Sequence, residues 1–260
     1  MKKRNVLFGA GLAVLLMSAA ASAADLRAEE PVFAGTGYQC KVFDRYRKDS
    51  GLMKLTSDGK TLCINNRIYA SCKGPDGKKI VLAEQPDPQY KWEDNILTNE
   101  KFLIPRKAED GTEKYAKISR KITFGPNRIS VEISITNLRD ITFPNTWQVC
   151  TEYLALVTEP VKGMRVEGIL PDDQEISTVI PREYDRAKWG FNKSVKQLKL
   201  TDSETFGMTV TAAPGCTLRL NHYGAKNMEL RIAPSVRKTE LDQKAGTETK
   251  IGFVIEFGKP

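Results

Sequence analysis

Between residues 128 and 136 apolar and polar side chains alternate one for one: Ile129, Val131, Ile133 and Ile135 interleave with Ser130, Glu132, Ser134 and Thr136. A period of two is the strand period, so this segment predicts a β-strand with one buried and one wet face. Residues 115–124 form a second extended run, and Gly125-Pro126-Asn127 supplies turn chemistry between the two, which predicts an antiparallel hairpin. Upstream, residues 52–55, 61–64, 67–72 and 79–83 read as short strands separated by Ser57-Asp58-Gly59, by Asn65-Asn66 as a tight turn, and by Gly74-Pro75-Asp76-Gly77. Downstream, residues 146–157, 163–170, 175–180, 194–200, 206–212, 217–221, 227–232 and 247–257 continue the series. Turn signals at this density, with helical spacing nearly absent, predict an all-β fold, an antiparallel β-sandwich. The expected organisation is a signal peptide over 1–23, a leader over 24–37 and one sandwich domain over 38–260, since sandwiches of about 200–250 residues commonly fold as one unit.

Three irregular stretches remain, 85–98, 102–112 and 181–193, and loops of that kind carry function disproportionately. The first holds Tyr90 and Trp92, and the third holds Tyr184 and Trp189. Aromatic faces stack on sugar rings, so these four are the expected ligand-binding residues. Trp147 joins them from the strand at 146–157, where it shares a face with Thr151 and Tyr153. The opposite face of that strand puts Glu152 in line with Cys150, Leu154 and Leu156. A carboxylate there is either raised in pKa, which suits catalysis, or paired with an Arg or Lys on a neighbouring strand. His222, the sole histidine, lies in step with Leu218 and Leu220 and reads either as a core residue or as a general acid or base. Glu152 and His222 are the catalytic candidates.

The N-terminus changes the picture of where the protein works. Met1-Lys2-Lys3-Arg4, an apolar run over 6–17 and a small-residue tail ending Ala21-Ser22-Ala23 have the three parts of a secretory signal peptide. The run is shorter than the roughly 20 residues that span a bilayer, so the expectation is a periplasmic or secreted protein without a membrane anchor. Removing residues 1–23 takes three basic and no acidic side chains, which lowers the formal charge from +8 to +5. That surplus suits an acidic glycan, but the charges are scattered, unlike the concentrated patches of nucleic-acid binders, so nucleic acid is not an expected partner. Five cysteines remain, Cys40, Cys63, Cys72, Cys150 and Cys216. In an exported chain some disulfide pairing is expected, and the odd number leaves at least one thiol over. There is no Cys-x-x-Cys for a metal site, no phosphate loop and no dinucleotide fingerprint, so neither metal nor cofactor is expected.

The segment from Ile118 to Asn137, the following Trp147 and the ending from Leu241 to Phe257 resemble the galactose-mutarotase-like β-supersandwich over about residues 50–257. That fold is shared by sugar epimerases and by domains of polysaccharide lyases and glycoside hydrolases. Asn221-His222-Tyr223 is similar to the Asn-His segment of aldose epimerases, which also use a second histidine and a late catalytic glutamate. This chain has one histidine, and Glu229, Glu240, Glu248 and Glu256 match no such motif. The resemblance therefore implies a carbohydrate-binding accessory protein without turnover. A carbohydrate-active enzyme using His222 or Glu152 is the alternative, and an envelope component that pairs its edge strands with a partner is a third.

Overall fold

The computed structural model describes residues 32–47, 51–57, 59–74, 76–85, 90–106, 113–146, 148–157, 161–183, 189, 191–202, 207–222 and 227–258, with backbone only at 43–47, 51–52, 63–66, 157, 222 and 227. The chain opens as an antiparallel meander of β1 (Val32–Gly35), β2 (Tyr38–Arg47), β3 (Gly51–Ser57), β4 (Lys60–Lys73) and β5 (Lys79–Glu84). It continues through β6 (Tyr90–Glu93), β7 (Ile96–Pro105), β8 (Ala116–Phe124) and β9 (Arg128–Asn137). A two-residue strand, β10 (Ile141–Thr142), precedes β11 (Thr151–Val157), β12 (Arg165–Ile169), β13 (Glu175–Val179), β14 (Gln197–Thr201), β15 (Gly207–Ala212), β16 (Cys216–His222) and β17 (Asn227–Pro234). The short β18 (Asp242–Gln243) pairs with β10, and β19 (Glu248–Gly258) ends the fold.

Pairing sorts the strands into two layers. The first runs β1–β2–β3–β4–β11–β17–β16. The second runs β13–β12–β14–β15–β19–β9–β8–β7. They are continuous because β5 pairs with the end of β4 on one side and with Leu103–Pro105 of β7 on the other. The expected sandwich is thus a single sheet folded onto itself.

Inward rows meet between the layers. Leu154, Leu156, Leu218, Leu220, Leu230 and Ile232 of the first layer are buried, as are Ile118, Ile122, Ile129, Val131, Ile133, Ile135, Ile251 and Phe253 of the second. Each such side chain taken out of water contributes about 1.5–3 kcal/mol, which explains why the period-two pattern is strict where the layers face each other. The expected hairpin is present as β8 and β9, with Phe124 opposite Ile129. Its turn is held from the first layer by Tyr38, whose hydroxyl donates to the Gly125 carbonyl at 2.7 Å. Gly35 lets that approach happen, since a Cβ there would lie 2.5 Å from the Pro126 carbonyl oxygen.

Several boundaries differ from the sequence reading. Asn65-Asn66 makes no hairpin turn: it lies within β4, where Asn66 is opposite Leu154, Cys63 is opposite Leu55 and Leu156, and the register against β11 shifts between Asn66 and Cys63. Pairing with β11 on either side of the shift outweighs the local turn preference of asparagine. Val32–Gly35 lies within the expected leader yet forms β1 against β2. The stretch 85–98 contains β6 and the start of β7, and β7 extends to Pro105, so two of the three expected loops carry strand among their described residues. No disulfide occurs among the described residues: Cys40, Cys72, Cys150 and Cys216 are buried thiols, and the Cys63 side chain lies outside the described residues.

Candidate functional site

Glu152 is resolved by its neighbours. It projects from β11 into the core, where Arg120 of β8 donates from Nη2 to Glu152 Oε2 at 3.0 Å. The same guanidinium engages Glu84 of β5, Nη2 to Oε1 at 2.5 Å and Nη1 to Oε2 at 3.3 Å. Lys101 of β7 adds a cation 3.5 Å from Glu84 Oε2, and the Ile68 amide donates to Glu84 Oε1 at 2.5 Å. None of the four charged side chains is more than 5% exposed. Burial pushes the Glu84 carboxyl up, but Arg120 and Lys101 outweigh burial and hold it below the usual carboxylate range. Burial pulls the Lys101 ammonium down despite Glu84. Two anions and two cations cancel, which makes this an internal pin between the layers and not a place a ligand reaches. The signal was in the sequence: Arg120 stands between Ile118 and Ile122, and Lys101 between Leu97 and Leu103, at inward positions.

Glu152 and His222 are not brought together. His222 pairs with Met228, and Met228 with Leu156, four positions along β11 from Glu152. At about 3.3 Å per residue that is about 13 Å of strand, plus two strand spacings. The His222 side chain lies outside the described residues, as do Trp147 and Tyr184 entirely.

The other aromatic candidates are not loop platforms. Trp92 sits on β6 and stacks on Phe124, with ring centroids 5.4 Å apart. Tyr90 is half-buried two residues earlier, its ring 6.0 Å from the Lys101 ammonium, and burial raises its hydroxyl pKa. Trp189 is 5% exposed, and its indole N–H donates to the Leu220 carbonyl at 3.4 Å. Trp92 and Tyr90 pack against the core from β6 and Trp189 enters it from an irregular segment, which offsets the cost of ordering that segment.

A different constellation appears on the outer face of the first layer. Tyr153 is opposite Arg67 on one side and Arg231 on the other, and Arg231 is opposite Arg219. Four strands thus present Arg67, Tyr153, Arg231 and Arg219 in one row about 14 Å long. The Arg231 guanidinium carbon lies 4.7 Å from the Tyr153 ring centroid, and Tyr69 meets Tyr153 edge-on at 5.6 Å. The adjoining row is Ala155, Glu229 and Asn221. Glu229 Oε2 accepts from Arg231 Nη2 at 3.0 Å. Asn221 is 5% exposed, and its side-chain N–H2 has no hydrogen-bond partner. A ring face, guanidinium forks, a carboxylate and a buried unsatisfied amide within two rows are the groups that grip a polyhydroxylated ligand. The sequence reading singled out the Tyr153 face but missed the arginines, because their company is set by register.

A cleft of about 860 Å³ opens on the outer face of the second layer, over β6 to β9 and β19. Two of its three carboxylates are engaged: Lys117 binds Glu100 at 2.7 Å, while Ser134 and Lys250 both reach Glu248, and Glu132 is the third. The Lys117 hydrogen bond holds Glu100, and the Ser134 hydroxyl holds Glu248, below the usual carboxylate range. Exposed strand faces with alternating charge are commonly solvated in this way, so this cleft is the weaker candidate.

No protein-family model and no curated protein matches the sequence. Solved structures do match the fold. A galactose mutarotase related enzyme from Lactobacillus acidophilus aligns with a TM-score of 0.51 at 12% identity, over 88% of this chain and 97% of that one. A galactose mutarotase-like protein from Lactobacillus casei gives 0.53 at 11% identity, over 88% and 100%. A galactose 1-epimerase from Lactobacillus acidophilus gives 0.50 at 10%, over 87% and 92%. The likeness runs the length of the described sandwich and is one of architecture, and the chain has a galactose-mutarotase-like fold.

Proposed function

We propose that this protein is an exported, non-catalytic carbohydrate-binding protein, and that the glycan lies on the arginine and tyrosine face of β4, β11, β17 and β16. The observation that carries this reading is the row Arg67, Tyr153, Arg231 and Arg219 beside the buried Asn221 amide. A half-buried ring offers apolar surface to a sugar, and the polar groups around it satisfy hydroxyls in both senses, as donors and acceptor. The mutarotase-like fold supports a carbohydrate ligand, and the tripartite N-terminal segment supports export. The basic balance of the chain favours an acidic glycan. Absence of turnover is supported by the composition of the two rows, where Glu229 is the single carboxylate and is engaged by Arg231. Acid and base work on a sugar calls for two such groups.

The test is a screen of the purified chain against neutral and acidic oligosaccharides, read for binding by calorimetry and for product by NMR. Binding without product is expected, and Tyr153→Ala should weaken it about tenfold, the scale of one lost ring contact. Anomer interconversion or cleavage would replace this reading with an enzymatic one.

A further inference from the structure

We infer that a second copy of this chain pairs with the open edge of β13, antiparallel about a two-fold axis at Ser177, so that the second layers of two molecules join into one sheet. β13 ends that layer, and among the described residues it pairs with β12 alone. The Leu170 amide donates to the Gln174 carbonyl and the Ile180 amide to the Met164 carbonyl, so the even-numbered positions of this strand bond toward β12. In an antiparallel ladder such positions alternate with ones whose backbone groups point the other way. The N–H and C=O groups of Glu175, Ser177 and Val179 therefore face outward, and all three residues are exposed, Val179 at 58%. Proteins commonly blunt an edge of this kind with bulges, prolines or charge. β13 meets β12 without a bulge, contains no proline and has a charged residue only at its first position. By contrast β16, at the end of the first layer, carries Arg219 and is closed by Val195, which exchanges both backbone hydrogen bonds with Leu218.

Register and charge select a second copy as the occupant. An axis at Ser177 sets Ser177 opposite its own counterpart and Glu175 opposite Val179 of the second copy, which uses every outward backbone group of the strand. It also sets Asp172 of each copy opposite Arg182 of the other, both exposed, so opposite charges meet at the two ends of the seam. Neighbouring axes fit less well. A shift of the axis by one residue one way puts Glu175 opposite Pro181, which has no N–H. The same shift the other way puts Val179 opposite Asp173, whose φ of 67° leaves the extended region. On the core side half-buried Ile176 meets Thr178 of the second copy, and on the outer side Val179 is covered. A self-complementary edge of this sort closes into a dimer and does not propagate. One five-residue strand buries less than the roughly 1,200–2,000 Å² of a standard interface, so the dimer forms and dissociates readily. The proposed ligand face lies on the other layer, so the dimer stands independently of carbohydrate binding.

Sedimentation velocity on the purified chain from about 1 μM to about 1 mM tests this, and should show monomer and dimer in exchange with nothing larger. Amide hydrogen exchange over 175–179 should slow as the concentration rises. Ser177→Pro removes an outward N–H that β12 does not use, and Val179→Lys puts a charge into the seam. Each should weaken dimerisation about tenfold while the circular dichroism spectrum stays that of the wild type, and the lysine variant decides the matter if the proline variant misfolds. Asp172→Arg and Arg182→Asp should each weaken it about threefold, and the double variant should recover it. These two residues flank opposite ends of β13, too far apart to pair within one molecule, so recovery reports a contact between copies. A chain that stays monomeric up to about 1 mM would overturn the inference, as would mass that grows past the dimer. A dimer that survives both Ser177→Pro and Val179→Lys, or a double charge variant no better than its parents, would also overturn it, since the contact would then lie elsewhere or in another register. None of these outcomes touches the proposed glycan face.

Discussion

Arg120→Met isolates the energetics of the internal pin. The replacement keeps the length of the side chain and removes the cation that meets both Glu84 and Glu152. Two carboxylates no more than 5% exposed then share one cation, Lys101, which lies 3.5 Å from Glu84. Breaking a buried pair by removing one partner costs about 3–5 kcal/mol, because the surviving charge remains out of water. For a chain of this size each kcal/mol moves Tm by about 2–4 °C, so a fall of about 6–20 °C is expected in differential scanning calorimetry at pH 7. The pH dependence gives a second check. In the wild type the Glu84 carboxyl is held below its ordinary value, so the stability it contributes is present above the unfolded pKa of about 4.3 and is lost as pH falls through the lower folded value. In the variant the stranded carboxyls take up protons more readily, so the gap between variant and wild type should narrow from pH 7 to pH 4. A Tm change under about 2 °C, or a gap that widens toward acid, would show that the pin is not what joins the layers.

Two further outcomes follow from where the structure puts side chains expected elsewhere. Trp189→Ala should cost about 3–5 kcal/mol, measured by urea denaturation, while the folded protein keeps its glycan affinity; a stable variant with lost binding would return Trp189 to the ligand. Maleimide labelling followed by intact mass should modify none of Cys40, Cys72, Cys150 or Cys216 in the native protein and all four after denaturation without reductant. Burial pushes the Cys72 thiol up to about 11 and the Cys150 thiol up to about 12, so these two are unreactive as well as covered; fewer than four labels after unfolding, among the five cysteines of the chain, would reveal a disulfide.

What was legible in the sequence follows the physics of each signal. The hairpin of β8 and β9 could be read because all four apolar residues from Ile129 to Ile135 face one core, and parity is local. Asn65-Asn66 reads as a turn because turn preference is local too, whereas the β11 ladder that carries β4 past it comes from outside the segment. Irregular sequence surrounds Trp92 and Trp189, yet Trp92 lies on β6 against Phe124, and Trp189, in the irregular segment between β13 and β14, is buried beside Phe191. Arg120 and Arg219 draw the line most clearly. Each stands between apolar residues one or two positions away, Ile118 and Ile122 for the first, Leu218 and Leu220 for the second. Counting parity separates them, since Arg120 shares the positions of its isoleucines and Arg219 alternates with its leucines, so one is a core cation and the other an outer one. Parity does not say that Arg219 stands beside Arg231, or that Tyr153 and Arg67 complete the row. That depends on how β4, β11, β17 and β16 are ordered and aligned, and a ligand meets that alignment, not any one strand.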